Sequence, residues 1–156
     1  MATIDIARYP EFANCSAAEL AYAAGFFDGE GHIRICHQKS EDRFSLTVEA
    51  TQATGVVIQW LRDKFGGRTR YDEFTQSYSK SKIGRRWDWS CNATRAALFL
   101  ITIRPYLIVK AEQADVAIAF QATMNDPSAA KYTSPEMRAV RKAYHDQIRK
   151  IRKDAR

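Results

Sequence analysis

The sequence lacks the features of an exported or membrane-spanning protein. No apolar run among its 156 residues approaches the length that a membrane-spanning helix needs. Residues 1–16 contain one arginine and no apolar stretch typical of a signal peptide. We therefore expect an intracellular protein that has no membrane partner.

Cysteine is scarce and widely spaced. Cys15, Cys36 and Cys91 form no C-x-x-C pair, which argues against a structural zinc site and for a reducing compartment. The hydrophobic content of 46% and the chain length predict one folded domain over residues 1–156. The net charge of +6 favours a polyanionic partner, although many basic proteins bind none.

Periodicity predicts an α+β fold, with an antiparallel sheet and helices on one of its faces. Ser16 and Glu19 have the spacing of a capping box, and Gly29 and Gly31 are expected to end the first helix. The predicted order is helix, two strands, helix, two strands and then helices. The strands are expected at 32–38, 43–51, 68–74 and 85–91, and the later helices at about 54–65, 94–103, 105–124 and from 135 onwards, with a C-terminal helical region over about 105–156.

The outward positions of the predicted strands carry many arginines among hydrogen-bonding side chains. They are Arg34, Gln38, Arg43, Ser45, Thr47, Glu49, Arg68, Arg70, Arg86, Asp88 and Ser90. A solvated sheet face is the commoner interpretation. However, these residue types read base edges when a β-ribbon enters the DNA major groove. Lys80, Lys82 and Arg85, in the connecting loop, would add phosphate contacts.

The last helix is strongly basic, and this pattern has two interpretations of equal weight. Its basic residues are Arg138, Arg141, Lys142, Arg149, Lys150, Arg152, Lys153 and Arg156, against only Asp146 and Asp154. A charged terminal helix is usually just solvated. It can also contact phosphates and make binding depend on salt.

The segment AAGFFDGEG, residues 23–31, allows three interpretations. The first is an ordinary core helix that ends at a glycine. The second is a calcium loop, although the spaced oxygen ligands of an EF-hand are absent. The third is a helix pair at a dimer axis, because Ala21, Ala24 and Gly25 would let another backbone approach closely.

This segment resembles the signature helix of the LAGLIDADG homing endonucleases, and the following HIRI resembles their first strand. VEATQ (48–52) is similar to the end of their second strand, and RPYLIVKAEQA (104–114) to the segment that carries a basic residue near the active site. RWDWSCNATRAALFL (86–100) is also similar in character to sequences of this family. The resemblance covers most of the chain, and it implies a curved sheet and the same element order.

The resemblance implies a homodimer, because only one copy of the signature is present. It implies that Glu30 and the Gly29 carbonyl bind Mg²⁺ or Mn²⁺, whereas Ca²⁺ could bind without supporting cleavage. Asp28 is expected to be structural, near the helix packing at the dimer interface. Gln52 would position a water molecule. Lys110 would supply a positive charge near the cleavage centre.

The same resemblance draws attention to two further positions of the expected site. His32 follows the motif directly, so it could approach DNA near the centre of the target. Some members of the family have a basic residue one turn beyond the equivalent of Gln52, whereas this chain has Val56 there. The departure leaves the rate of cleavage, and even its presence, open.

The resulting expectation is a site-specific endonuclease that leaves 3′ overhangs at a long, nearly palindromic site in double-stranded DNA. It would work where its target DNA is, in an organelle or the prokaryotic cytoplasm. One alternative is a non-cleaving DNA- or RNA-binding relative, such as a maturase or a transcriptional regulator. Another is an unrelated α+β interaction protein, which would be monomeric and would not bind duplex DNA.

Overall fold

A computed structural model describes residues 6–75, 83–124 and 133–154 of this chain, and its element order is the predicted one. Short 3-10 helices at Ile6–Arg8 and Pro10–Asn14, which the sequence did not predict, precede the first helix. The helices are α1 (Ala17–Glu30), α2 (Gly55–Phe65), α3 (Ala93–Ile103), α4 (Ala111–Met124) and α5 (Pro135–Asp154). The strands are β1 (Gly31–Gln38), β2 (Arg43–Gln52), β3 (Arg68–Thr75) and β4 (Ile83–Asn92).

The four strands form one antiparallel sheet in the order β1-β2-β4-β3. The β1–β2 and β3–β4 pairs are the two predicted strand pairs, and β2 joins them by pairing with β4. Gly31 lies opposite Ala50, and Glu49 lies opposite both His32 and Ser90. This register places the outward side chains of β1, β2 and β4 side by side.

The inward side of the sheet packs against the helices. Ile33, Leu46 and Val48 are fully buried there, as the alternation in the sequence predicts. Phe99 of α3 lies at the centre of an aromatic cluster, with ring centroids 5.2 Å from Phe27, 5.0 Å from Phe65 and 4.9 Å from Trp89. The core therefore fixes α1 and α2 relative to the sheet.

The first helix begins as predicted and ends later than expected. The Glu19 backbone N–H donates to Ser16 Oγ (3.2 Å), and the Ser16 N–H donates to Glu19 Oε2 (2.9 Å), which completes the capping box. Gly29 does not stop the helix, because α1 continues to Glu30. Gly31 ends it, and the Phe27 ring packs so closely there that an added Cβ would lie 2.3 Å from a ring carbon.

The helix expected from Pro105 is divided in two. A 3-10 helix covers Arg104–Tyr106, the chain is extended at Leu107, and α4 begins only at Ala111. The intervening residues 108–110 donate their backbone N–H groups to the Asp28 side chain instead. No helix of the described residues combines the length and apolar character needed to cross a membrane.

Candidate nucleic-acid interface and active site

The outward face of the sheet carries the polar residues predicted for it. Along β1, buried Ile33 and Ile35 alternate with exposed His32 and Arg34. The same alternation runs through β2 and β4. The predicted outward residues that are exposed or half-buried there are Arg34, Gln38, Arg43, Ser45, Thr47, Glu49, Arg68, Arg70, Arg86, Asp88 and Ser90.

Carboxylates hold the arginines of this face in place. Arg86 donates to Asp88 (3.1 Å) and to Asp72 (3.4 Å), Arg70 donates to Asp72 (3.2 Å), and Arg34 pairs with Glu49. Exposed ion pairs of this kind contribute at most about 1 kcal/mol each to stability. Their effect is to order the guanidinium groups and to leave donors and acceptors side by side.

A groove of about 500 Å³ runs across this face and is lined by residues of all four strands, with arginines from β1, β3 and β4. Its polar lining includes Thr51, whose hydroxyl donates to Asp88 (2.8 Å). Thr51, Asp72 and Phe74 share the outward face but were missed in the sequence. The alternation that identified Arg68 and Arg70 would have identified Asp72 and Phe74 as well.

The prediction for the loop basic residues was wrong in one case. Arg85 lies in β4 and not in the connecting loop, opposite Glu73, with its guanidinium 3.7 Å from that carboxylate. Because side chains alternate along a strand, Arg85 points to the face opposite that of Arg86. Lys80 and Lys82 lie outside the described residues.

The end of α1 presents one exposed carboxylate and one carboxylate that accepts several hydrogen bonds. Both oxygens of Asp28 accept backbone N–H groups, from Ile108 (2.8 Å), Val109 (3.1 Å) and Lys110 (2.9 Å). Glu30 is exposed at the last position of the helix, where the helix dipole is negative. Glu30 is therefore the acid of the motif that is available to a ligand.

Lys110 is held beside this carboxylate. Its ammonium group donates to the Asp28 carbonyl oxygen. Burial lowers the pKa of Lys110, and the negative charges of Asp28 and Glu30 oppose that shift. Burial likewise lowers the pKa of His32, with further lowering by Arg152, Lys110 and Arg34 and an opposing effect of Glu30. Lys110 and His32 therefore both lie near Glu30, where α1 ends and β1 begins.

Gln52 lies at the end of the neighbouring strand. Gly31, which ends α1, pairs with Ala50 of β2. Gln52 lies two residues after Ala50 in the same strand. The side chain is half-buried, and its Oε1 accepts a hydrogen bond from Thr54 Oγ1 (3.3 Å). With this amide orientation, the nitrogen is the group left to contact a water molecule or a phosphate.

The donors at the end of α1 fit a hard divalent cation but do not complete a site. Glu30 supplies a carboxylate, and the Gly29 carbonyl is in the last turn, where helical carbonyls have no intrahelical partner. Oxygen donors of this type suit Mg²⁺. Within the described parts of the chain, no three His, Cys, Asp or Glu side chains cluster as metal ligands.

A small-residue stripe runs along the outer surface of α1. Ala21, Gly25 and Gly29 recur every four residues and are exposed, and a Cβ added at either glycine would meet no atom within 4 Å. The inclusion of Ala24 in a dimer interface was wrong. Ala24 is fully buried in the core of its own chain, because it lies about 100° around the helix from Gly25 and faces inward.

Exposed apolar residues flank this stripe on both sides. Ile108 and Val109 are 86% and 68% exposed in the segment that Asp28 holds. On the other side, Tyr22, Val56 and Trp60 line an apolar hollow between α1 and α2, and Val56 is 78% exposed. Ile108, Val109 and Tyr22 were not predicted to lie on this surface, because all three also fit an ordinary helix interior.

The comparisons with known proteins concern the fold. No protein-family model and no curated protein matches this chain. The homing endonuclease I-CvuI, in complex with its target and Ca, superposes with a TM-score of 0.66 at 16% identity, over 86% of this chain and 82% of that chain. In a second I-CvuI complex, with the I-CreI target and Mg, the DNA is not cleaved.

Two further structures have the same architecture. The archaeal intron-encoded homing endonuclease I-Vdi141I, complexed with DNA, has a TM-score of 0.65 at 14% identity, over 86% of this chain and 84% of that chain. The LAGLIDADG homing endonuclease I-GzeII, in complex with its DNA target, has a TM-score of 0.60 at 15% identity, over 83% of this chain and 43% of that chain. The chain therefore has the fold of the LAGLIDADG homing endonucleases.

Proposed function

We propose that this chain is a homodimeric, metal-dependent DNA endonuclease of the LAGLIDADG homing type. The observation that carries the proposal is that the two acids of the signature helix have different environments. Asp28 is fully used in holding residues 108–110, whereas Glu30 is exposed beside Lys110. A free carboxylate next to a lysine, at the edge of an arginine-rich groove, suits hydrolysis of a phosphodiester.

The outer surface of α1 supports the proposed homodimer. Ala21, Gly25 and Gly29 leave room for the backbone of a second α1, and Ile108 and Val109 would be covered by the same contact. A two-fold axis at this stripe would bring two Glu30 carboxylates together. It would also join two sheet grooves into one long surface, which calls for a nearly palindromic DNA site.

Glu30 and the Gly29 carbonyl of each chain would hold the metal ion. Two carboxylates next to two negative helix ends repel each other, and a divalent cation relieves that repulsion. When bound, the ion activates a water molecule and stabilises the negative charge that builds on the scissile phosphate. Oxygens of the scissile phosphates would complete its ligand shell.

The other residues of the site would bind the DNA and orient the attacking water. Lys110, anchored on the Asp28 carbonyl, places a positive charge beside Glu30 for a phosphate near the cleavage centre. The Gln52 amide would orient the attacking water. The outward residues of the sheet would read base edges, His32 would lie near the centre of the target, and the break would have 3′ overhangs.

A specific observation keeps the non-cleaving alternative open. Val56 is exposed at the start of α2, where some of the resembling enzymes have a basic residue. If that charge is needed for turnover, the chain would bind its target without cutting it. It would then act as a maturase or a transcriptional regulator.

The decisive experiment is a cleavage selection. Purified protein is incubated with a randomised, nearly palindromic duplex library in Mg²⁺, Mn²⁺, Ca²⁺ or EDTA, in parallel with Glu30→Gln. We expect cuts in Mg²⁺ or Mn²⁺, binding without cuts in Ca²⁺, and more than about a 100-fold loss of rate in Glu30→Gln, since metal-based stabilisation is worth several kcal/mol.

Glu136→Gln is the matched control, because Glu136 is an exposed glutamate in the first turn of α5. It should cleave like the wild type. Specific DNA binding without cuts in any metal would replace the enzyme by the binding-only alternative. A monomer that does not bind duplex DNA would reject both and favour an unrelated interaction protein.

A further inference from the structure

The outward face of the sheet carries a large apolar side chain near the free end of the β3–β4 pair. Phe74 follows Arg68, Arg70 and Asp72 at every second position of β3, so it lies on the same side of the sheet as they do. Its side chain is 45% exposed. The other described outward positions of the four strands carry polar or small residues.

The hydrophobic core does not account for Phe74. The helices pack against the opposite side of the sheet, and among the described residues Phe74 is not part of the core cluster that forms there. Tyr71 of the same strand faces that opposite side, where its ring centroid lies 4.9 Å from that of Trp87. Single exposed apolar residues are common on protein surfaces, so exposure alone indicates nothing. The strand partner of Phe74 is more informative.

Gly84 of β4 leaves the space that the Phe74 ring occupies. The two residues are directly opposite each other in the register. Glycine inside a strand weakens it and often marks a bulge or a close approach of another group. Gly84 is paired in regular register and is not among the described glycines with a positive φ, so the backbone does not require glycine there. An added Cβ would lie 2.5 Å from Cζ and 2.6 Å from Cε2 of the Phe74 ring. The ring therefore leans across β4 and covers the buried Gly84.

The leaning ring lies next to the hydrogen-bonding groups of the same face. Asp72 and Arg86 form the next strand pair on this side, and Arg86 donates to Asp72 (3.4 Å). A duplex that presents base edges to these groups would also present them to the ring. Wedges that enter between base pairs project from the surface of a protein. A ring that leans along the sheet instead suits contact with a group at the surface of the groove.

The thymine methyl is the group with matching chemistry. In the major groove the bases present hydrogen-bond donors and acceptors, and thymine adds its C5-methyl group, which apolar side chains such as phenylalanine contact. We propose that Phe74 contacts the C5-methyl group of a thymine in the target duplex and makes one position of each half-site selective for thymine. This assignment rests on the proposed function, and it makes Phe74 a specificity-determining residue.

The test compares thymine with uracil, which lacks only the methyl group. Duplexes that the full-length protein retains in Ca²⁺ are recovered from a randomised, nearly palindromic library, and each symmetry-related pair of thymines is replaced by deoxyuridine in turn. We expect the retained duplexes to share a thymine pair whose replacement weakens binding about fourfold per half-site, or about 15-fold for both. The ratio of the two affinities is measured for each variant.

Two substitutions should abolish this preference for different reasons. Phe74→Ala removes the ring, so thymine and uracil duplexes should bind equally well at every position. Gly84→Ala keeps the ring but displaces it, because the new Cβ takes its place, and the thymine preference should fall as well. An aromatic ring over a glycine also stabilises a strand pair. A loss of stability alone would weaken the binding of both duplexes and leave their ratio unchanged.

Tyr71→Ala is the matched control, because Tyr71 is an aromatic residue of the same strand with similar exposure, 43%, on the opposite face. Its thymine preference should equal that of the wild type. Retained duplexes that bind without preferring thymine over uracil, a preference that persists in Phe74→Ala, or an equal loss in Tyr71→Ala would overturn the inference, while wild-type retention of DNA upholds the proposed binding. A wild-type protein that retains no duplex would overturn both. Far-UV circular dichroism verifies that each variant is folded.

Discussion

The two sides of α1 are both made of small residues, yet only one of them is explained by the chain itself. On the inner side, Ala23 and Ala24 are fully buried together with Phe27. On the outer side, Ala21, Gly25 and Gly29 face open space. A surface helix normally carries polar side chains on its outer side. Glycine there costs about 1 kcal/mol relative to alanine, and the proposed contact with a second α1 would account for it.

The end of the helix shows the same division at atomic detail. Gly31 belongs to the inner side, because the Phe27 ring occupies the place of its missing side chain. Asp28 is directed to residues 108–110 of its own chain, whereas Glu30 is directed to solvent. One nine-residue motif therefore contains residues that pack or hydrogen-bond within the fold and residues that face solvent in the described part of the chain. Substitutions on the two sides should separate the two classes.

The largest effect on folding is expected for Gly31→Ala. The new Cβ would lie 2.3–2.5 Å from three atoms of the Phe27 ring, which is fully buried and has no room to move. Overpacking of this kind lowers the free energy of unfolding by about 1–3 kcal/mol, and we expect a value at the upper end. Urea denaturation at several protein concentrations measures it and separates folding from association.

Gly25→Ala is the matched control on the outer side of the same helix. Nothing lies within 4 Å of its added Cβ, so the chain should gain up to about 1 kcal/mol from helix propensity. Equal destabilisation by the two substitutions would mean that the two sides of α1 do not differ as described.

A smaller effect is expected for Asp28→Asn, at the junction of the two sides. Asparagine keeps the shape but has one oxygen to accept the three N–H groups of residues 108–110. Hydrogen bonds to a charged group are worth about 1.5–3 kcal/mol, and the exposed setting reduces this, so we expect a loss of about 1–2 kcal/mol. Faster hydrogen exchange at residues 108–110 would locate the loss.

Asp63→Asn is the control for Asp28→Asn. Asp63 is exposed and pairs only with its neighbour Arg62 among the described residues, so its substitution should change stability by less than about 0.5 kcal/mol. If Asp28→Asn proved equally neutral, the segment before α4 would owe its conformation to Leu107 and the core instead.

The sequence predicts the structure best where apolar and polar residues alternate or where two residues have the spacing of a helix cap. The alternation of Ile33 and Arg34 identified the two faces of β1, and Ser16 with Glu19 identified the start of α1. Alanine carries no such signal, because it fits a buried helix side and an open one equally well. That is why Ala24 was grouped with Gly25, although they lie on different sides of the helix.

The remaining errors have tertiary causes. The apolar run at residues 107–109 is compatible with a helix, and only Asp28, distant in the sequence, diverts its N–H groups. Arg85 was assigned to the connecting loop because it is the boundary residue of the predicted strand, whereas β4 already begins at Ile83.

The smallest effect on folding, and the sharpest separation of the two sides, is expected for Gly25→Leu. The side chain would enter open space, and leucine is a far better helix former than glycine, so the chain should be as stable as before or slightly more stable. If two copies of α1 pack through this stripe, a leucine there would hold the backbones apart. Sedimentation velocity should then show a monomer, and cleavage should be lost.

Ala143→Leu supplies the control, because it adds the same side chain at an exposed position of α5. It should leave both association and cleavage unchanged. A Gly25→Leu protein that still formed a dimer would place the two-fold axis elsewhere, with the flanking Ile108 and Val109 as the next surface to substitute. A stable but monomeric and inactive protein would mean instead that the outer side of α1 serves a second chain, and that one Glu30 alone does not make the site.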